Sequence, residues 1–388
     1  MSTISIVSLS IFAVSCGIST TQSGIKTVDI PNSKVKWQSI GNCWSYAALG
    51  WAESLVMTGN PGIAHPNFSE SYITYRHYED QLISDSSMYL KELETGGWFE
   101  DATNTMTRFG IISEGDFIPE ESEKTKSARQ SDATDYLNLS MKSGPLSKSR
   151  TPEIVKAELN AAFKVIPGFE SKLVYPKDLV TARAADGKIL RTLDLEIDSW
   201  KGASFPKNRE SMPTDGKPAW SGASTADQKA MFQRVKRALN DGHPVIMDWF
   251  VEFNALDTVG AFTLEKLQEM GTAGRQGYHS TVLEDYSVKG INPANNRPFE
   301  IGDGAVSPEL KELALNYGDV TALIVKNSWG GNERLDRPSY YVGASKGFHK
   351  LRLSYLLGWM PIKKEAEDTS KYIRFETPIR RFVLPAGY

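Results

Sequence analysis

The sequence predicts an α+β protein in which helices dominate the first part of the chain and strands dominate the last. A helical pattern of apolar residues begins at Cys43, and a second one is predicted over 225–239. Apolar runs at 320–326 and 349–355 are typical of strands. Helices early and strands late favour an α+β fold over an alternating α/β fold.

The composition excludes several classes of function. The chain has 388 residues, of which 40% are hydrophobic and 23% charged, so it can form one large or two small domains. The net charge of −3 includes no basic arm, and we expect no nucleic-acid partner. The five histidines lack the spacing of metal ligands, so we predict neither a metal site nor a cofactor.

The N-terminus resembles a bacterial lipoprotein signal. Residues 4–14 are apolar but too few to span a bilayer, and Ala13-Val14-Ser15 precedes Cys16. We therefore expect a signal peptide over 1–16, lipidation of Cys16, and an exported protein anchored at the cell envelope by that lipid. A tether over 17–34 follows. A cleaved signal on a secreted protein and a buried N-terminal strand remain alternatives.

The first predicted helix begins at Cys43, with Asn42 as its N-cap. Apolar residues then recur on one face as far as Val56, and Gly59 and Pro61 end the helix. A thiol at a helix N-terminus lies at the positive end of the helix dipole, which favours the thiolate. The alternative is a small cysteine buried in the core.

Further elements follow from caps and apolar patterns. They are helices capped by Ser69, by Thr151, by either Ser224 or Thr225, and by Ser307, a helix at 101–109, and strands at 245–251, 279–286 and 339–342. Residues 115–221 are polar, with some helical pattern, and are predicted to be a partly folded insertion.

Two residues of the β-rich half could complete a nucleophilic site. His279 begins an apolar strand, and Asn327 ends another. A nucleophilic cysteine needs a base to take its proton, and the base needs a third group to orient it. Taken alone, His279 also suits the core and Asn327 a turn.

Together these motifs resemble the ordered signature of papain-like cysteine peptidases. That signature is Gly-x-Cys-Trp at 41–44, a histidine on a strand, and Lys-Asn-Ser-Trp-Gly at 326–330. The resemblance implies that Cys43 is the nucleophile, His279 the base and Asn327 the orienting residue, with Trp329 shielding the His–Asn hydrogen bond. It implies a two-subdomain fold over 35–388. The helical half would open with the cysteine helix, and the other half would be β-barrel-like.

The resemblance extends to substrate binding, with one departure. Gly96 and Gly97 match the glycine pair that hydrogen-bonds to the substrate, and Trp98 matches an aromatic wall. The family's oxyanion glutamine lies six residues before the cysteine, where this chain has Trp37. Gln38 lies five residues before Cys43 and is predicted to take that role.

The spacing of the motifs predicts two insertions. The interval from Cys43 to His279 exceeds the roughly 130–150 residues typical of the family by on the order of 100. The segment 115–221 accounts for this excess, and 289–319 accounts for the long interval from His279 to Asn327. Long insertions cost little because loop-closure entropy grows only logarithmically with length.

We therefore expect a cysteine peptidase that hydrolyses protein or peptide substrates through an acyl-enzyme. Two other classes stay open. One is a catalytically silent binding protein on the same scaffold, with the insertion as its binding surface. The other is a thiol acyltransferase or amidase that uses the same acyl-enzyme. The sequence does not predict the oligomeric state.

Overall fold

The computed structural model describes residues 30–63, 65–84, 86–122, 124–207, 213, 217–302, 306–331, 347–362 and 374–388. The predicted signal peptide, Cys16, the strand at 339–342 and most of the tether lie outside the described residues. None of the helices in these ranges has the length and apolar character needed to cross a membrane.

The helices occupy mainly the first two thirds of the chain. They are α1 (Cys43–Gly59), α2 (Glu70–Ile83), α3 (Phe99–Phe109), α4 (Glu114–Phe117), α5 (Ala128–Ser143), α6 (Pro152–Phe163), α7 (Leu193–Ser199), α8 (Ala226–Asn240), α9 (Leu264–Met270), α10 (Pro308–Tyr317) and α11 (Leu353–Leu356). The predicted caps Ser69, Thr151, Thr225 and Ser307 are confirmed, since each hydroxyl accepts a hydrogen bond from the backbone N–H three residues later.

The strands concentrate in the last part of the chain. They are β1 (Val180–Arg183), β2 (Ile189–Thr192), β3 (Lys201–Ser204), β4 (Ile246–Glu252), β5 (Ala261–Phe262), β6 (Gln276–Asn292), β7 (Arg297–Ile301), β8 (Gly318–Lys326), β9 (Phe348–Arg352), β10 (Met360–Ile362), β11 (Arg374–Glu376) and β12 (Ile379–Leu384). The α+β class is therefore confirmed. The strand predicted over 349–355 ends at Arg352, where α11 begins.

The main sheet is open, whereas the sequence predicted a barrel-like half. Its strand order is β3-β12-β4-β6-β8-β9-β5, with β7 added beside β6. Pairing is antiparallel except between β5 and β9. Within the described residues the edge strands β3 and β5 do not pair, so no barrel closes.

The first helix is buried on all sides, although the sequence predicted a single buried face. Every residue of α1 except Thr58 is buried, because the helix packs against α3, β1 and the long central strand β6. Asn42 stands at the N-cap position, but its side chain does not cap the helix. It donates instead to Thr74 Oγ1 and Gln130 Oε1, both at 2.9 Å.

Two apolar cores flank the sheet, and the segment 115–221 belongs to the first. Leu137, Phe163 and Trp200 pack in the same buried cluster as Trp44. The second core lies between the other face of the sheet and α8. The segment 115–221 also supplies β3, while 289–319 supplies the end of β6, β7 and α10. That these two segments are insertions into a common scaffold stays a prediction.

A group of buried charges, here called the Lys36 cluster, joins the loop before Cys43 to the helices. Lys36 Nζ lies 2.8 Å from Glu70 Oε1 and 3.5 Å from Glu53 Oε1, and it donates to the Phe68 carbonyl at 2.8 Å. Glu53, Glu70 and the neighbouring Glu114 are at most 3% exposed. Burial raises the pKa of Glu70 to about 7 even though Lys36 acts in the opposite direction. Lys36 is the cation that contacts these carboxylates directly, while the buried Lys326 interacts with Glu53 and Glu70 at longer range.

Candidate active site

Cys43 is the first residue of α1 and lines a cleft, although the residue as a whole is only 8% exposed. Burial raises the pKa of the thiol to about 11, while the backbone N–H groups of Ser280, Trp44 and Cys43 itself lower it. The backbone N–H groups at the helix N-terminus therefore act in the predicted direction, but they do not decide the direction in which the pKa of the thiol is shifted. Loss of hydration outweighs the backbone dipoles at this buried position.

His279 lies on β6, where its strand neighbour is Trp249 of β4. Its Nε2 is 2.7 Å from Asn327 Oδ1, and both side chains are at most 5% exposed. This contact leaves Nδ1 as the ring nitrogen that can exchange a proton elsewhere. Burial lowers the pKa of His279 to about 4, and the hydrogen bond with Asn327 acts in the opposite direction.

Two tryptophans enclose the histidine ring. The Trp329 ring stacks on His279 with centroids 4.9 Å apart and an interplanar angle of 23°. Trp249 meets the same ring edge-on at 5.7 Å. Trp329 is itself only 7% exposed. That it shields the hydrogen bond between His279 and Asn327 stays a prediction.

The cleft has two halves that meet at His279. The glycine side has a volume of about 810 Å³ and contains Cys43, Gly96, Gly97 and Trp98 among its lining residues. The glutamine side has a volume of about 760 Å³ and contains Gln38 and Trp329. Among the residues that the structure describes, no group of three His, Cys, Asp or Glu side chains could hold a metal ion, either in this cleft or elsewhere.

Both ends of the Gln38 side-chain amide are held by hydrogen bonds. Its Nε2 donates to the Ile40 carbonyl at 2.8 Å, and its Oε1 accepts a short hydrogen bond from the Ser328 hydroxyl. The Gln38 N–H also donates to the Ser328 carbonyl at 2.9 Å. Ser328 therefore holds the oxygen end of the amide, and the Ile40 carbonyl accepts from its nitrogen end. One of the two Nε2 protons is used by Ile40.

The two predicted glycines have different surroundings. A Cβ at Gly97 would lie 2.7 Å from Trp44 Cε2, so only glycine lets the chain pass this close to the indole. Nothing would meet a Cβ at Gly96, whose Cα faces open space. Trp98 follows with 52% of its surface exposed in the cleft. These three residues form one wall beside Cys43.

The glycine side of the cleft also contains charged residues to which the sequence analysis assigned no role. Asp248 accepts short hydrogen bonds from Ser280 Oγ and Arg381 Nε. Arg381 also binds Glu100 through Nη1 at 3.0 Å and Nη2 at 2.9 Å. The Arg381 guanidinium lies 5.0 Å from the Trp98 ring centroid. Strand β12 thereby connects the sheet to α3 across the glycine side.

A second histidine, His349, was also missed. It is fully buried, and its Nδ1 lies 3.1 Å from Asn327 Nδ2. The sequence contained no spacing signal for it, because the contact depends on the register of β9 against β8. That register places His349 opposite Val325.

No family model and no curated protein matches this chain. Among solved structures it is similar to PepW from Lactobacillus rhamnosis, with a TM-score of 0.44 and 13% identity over 94% of this chain and 82% of that one. It is also similar to Xylellain, a cysteine protease from Xylella fastidiosa, with a TM-score of 0.38 and 12% identity over 93% of this chain and 86% of that one. At these scores and identities, neither similarity supports a conclusion about activity.

Proposed function

We propose that the chain is a papain-like cysteine peptidase that hydrolyses peptide bonds through a thioester intermediate. The observation that carries the proposal is the 2.7 Å contact of His279 Nε2 with Asn327 Oδ1 in the cleft that contains Cys43. This contact leaves His279 Nδ1 to serve the thiol. A nucleophile and a base that share a cleft, with an amide hydrogen-bonded to the base, are the parts that acyl transfer by cysteine requires.

The first half of the reaction forms the thioester. Burial disfavours the Cys43 thiolate and the His279 imidazolium when each is considered separately. Proton transfer from Sγ to Nδ1 creates both charges together, and their attraction offsets part of the lost hydration. Sγ then attacks the carbonyl carbon of the substrate. The imidazolium protonates the amine as the C–N bond breaks.

The second half releases the acid product. His279 takes a proton from water, whose oxygen attacks the thioester carbon, and the thiol leaves with a proton. The Cys43 backbone N–H and the remaining Gln38 Nε2 proton are the proposed donors to the oxyanion in both halves. Each oxyanion donor of this kind contributes a factor of about 10²–10³ to the rate. Gly96, Gly97 and Trp98 are proposed to hold the substrate backbone.

Ser328→Ala is expected to lower kcat by about 3–10-fold, less than the loss for removing an oxyanion donor outright. The substitution removes the hydroxyl that holds Gln38 Oε1, so the amide rotates and its donor end spends less time at the oxyanion. Steady-state kinetics of Ser328→Ala, Gln38→Ala and the double variant measure this. Ser84→Ala, at an exposed helix end, is the matched control. The prediction is wrong if Ser328→Ala lowers kcat as much in the Gln38→Ala background as in the parent.

The proposed function is tested by titrating peptidase activity with iodoacetamide. A Cys16→Ser variant has Cys43 as its one remaining cysteine, since the chain contains two. With a quenched fluorescent peptide library, hydrolysis is expected to vanish in proportion to alkylation at Cys43, with one equivalent sufficient. Peptide mapping locates the modified residue. Activity that persists after complete alkylation would contradict the proposal.

The same experiment separates the other two classes. A silent binding protein would cleave no peptide, and Cys43 would react with iodoacetamide no faster than a model thiol. A thiol acyltransferase would consume the peptide but transfer the acyl group to an added amine in preference to water. Mass analysis of the products with and without added amine distinguishes transfer from hydrolysis.

A further inference from the structure

The Asn327 side chain lies between two histidines. Its Oδ1 faces His279 Nε2 at 2.7 Å and also accepts from the Ser328 N–H at 2.7 Å. Its Nδ2 faces His349 Nδ1 at 3.1 Å. Both ends of the amide are therefore engaged inside the protein. The amide oxygen only accepts hydrogen bonds and the amide nitrogen only donates them. The N–H of Ser328 therefore favours the orientation in which Oδ1, and not Nδ2, faces it.

The orientation of Asn327 determines which nitrogen carries the proton in each of the two histidines. An amide nitrogen only donates, so His349 Nδ1 must be an unprotonated acceptor. Asn327 Oδ1 then faces His279, and His279 Nε2 must carry the proton. This leaves His279 Nδ1 unprotonated for the Cys43 thiol. With the amide reversed, Nδ2 would face His279 and would favour the other tautomer, in which Nδ1 already carries a proton.

Strand pairing and aromatic packing position His349 beside Asn327. Strand β9 pairs with β8, and the Asn327 N–H donates to the Gly347 carbonyl at 2.9 Å just before that strand begins. The His349 ring packs against Trp329 at 5.1 Å and Phe262 at 5.9 Å, and none of it is exposed. Since bulk water does not reach this position, it cannot replace the ring as an acceptor for Asn327.

We propose that His349 is a positioning residue that acts through Asn327 to set the tautomer of His279. The inference rests on the proposed function, because it assigns His349 a place behind the Cys43–His279–Asn327 site. His349 does not touch the substrate in this scheme. Ser328 N–H supports the same orientation of Asn327, so losing His349 weakens the preference and does not abolish it.

The test compares two replacements in the Cys16→Ser background. His349→Phe keeps an aromatic ring against Trp329 and Phe262 but has no acceptor. His349→Gln keeps an acceptor. We expect His349→Phe to lower both kcat/KM and the rate of Cys43 alkylation near neutral pH by about 5–10-fold, the value of one hydrogen bond. Its alkylation profile should shift to higher pH. His349→Gln should stay within about 3-fold of the parent.

A double-mutant cycle with Asn327→Ala separates positioning from packing. If His349 acts through the amide, His349→Phe has no further effect once Asn327 is alanine. An equal effect in both backgrounds would identify a structural role and overturn the inference. Parent-like behaviour of a folded His349→Phe would also overturn it, while peptidase activity that still depends on Cys43 would leave the proposed function intact.

A measurement on the unsubstituted histidines covers the case in which His349→Phe does not fold. The ¹⁵N chemical shifts of imidazole distinguish protonated from unprotonated ring nitrogens. Near neutral pH we expect His349 to carry its proton on Nε2, with Nδ1 unprotonated. A proton on His349 Nδ1 in the folded protein would contradict the inference whatever the variants do. Neither this measurement nor the alkylation rate requires a known substrate.

Discussion

Cys43→Ala is expected to reduce peptide hydrolysis by a factor on the order of 10⁵–10⁶ in kcat, to the background of the assay. The substitution removes the sulfur that forms the thioester in the proposed mechanism, and neither His279 nor Asn327 can replace it. The groups left in the cleft can still bind peptide, so KM should change little. Single-turnover and steady-state kinetics on the best peptide of a library measure the loss.

Two controls make this result specific to the nucleophile. Cys16→Ser removes the other thiol and should leave hydrolysis unchanged. Unfolding of Cys43→Ala by heat should match that of the parent, because alanine fills most of the buried space of a cysteine. Cys43→Ala with residual activity well above background would exclude the thioester mechanism. An equal loss in Cys16→Ser would indicate that export or folding had changed instead.

Lys36→Met is expected to lower the free energy of unfolding by about 3–5 kcal/mol at pH 8. Methionine keeps the length of the side chain but removes the cation from the Lys36 cluster. Glu53 and Glu70, both 1% exposed, then have no positive partner at Lys36. A buried charge whose partner is removed costs more than the pair itself contributes. Urea unfolding followed by tryptophan fluorescence measures the change.

The loss should be smaller at pH 5. The pKa of Glu70 is raised by burial to about 7 in the folded protein, above its ordinary 4.5. The folded state therefore binds more protons than the unfolded state between about pH 4.5 and 7, and this group's contribution to stability falls as pH rises through that window. Without Lys36 the pKa of Glu70 rises further. The free energy of unfolding of the variant should therefore fall furthest below that of the parent above about pH 7.

Lys142→Met is the matched control for Lys36→Met. Lys142 pairs with Glu92 at 3.4 Å, but both side chains are more than 60% exposed. An exposed pair of this kind contributes about 0–1 kcal/mol, so the control should unfold close to the parent. If both variants lose the same stability, or if the loss in Lys36→Met does not depend on pH, the Lys36 cluster has no special role.

The sequence predicted local structure better than the arrangement of the elements. The caps at Ser69, Thr151, Thr225 and Ser307 were predictable because a hydroxyl and the N–H three residues later are neighbours in any helix. The apolar stripe of α1 was also visible, but not the second layer that covers its polar residues. A stripe shows which side is certainly buried, and only tertiary packing shows whether the opposite side is buried as well.

The residues of the candidate site also fall into those that local sequence identified and those that it missed. Cys43, His279 and Asn327 were found because their neighbours in sequence are informative, as in Lys-Asn-Ser-Trp-Gly. His349 and Arg381 were missed because their contacts depend on which strands pair, β9 with β8 and β12 with β4, and local sequence patterns do not reveal these pairings. The predicted barrel failed for the same reason, since closure depends on which edges meet. Gln38 could be named from its position, but its attachment to Ser328 could not.

The position of β12 between β3 and β4 in the sheet affects how the protein folds during translation. Strand β4 is buried at all seven positions, and one of its edges is paired by β12. More than a hundred residues are translated between these two strands, which takes on the order of ten seconds on a ribosome. During that interval β4 presents an apolar, unpaired edge, a known route to aggregation. The nascent chain also lacks Arg381, so the contacts of Arg381 with Asp248 and Glu100 on the glycine side of the cleft form only after β12 has been translated.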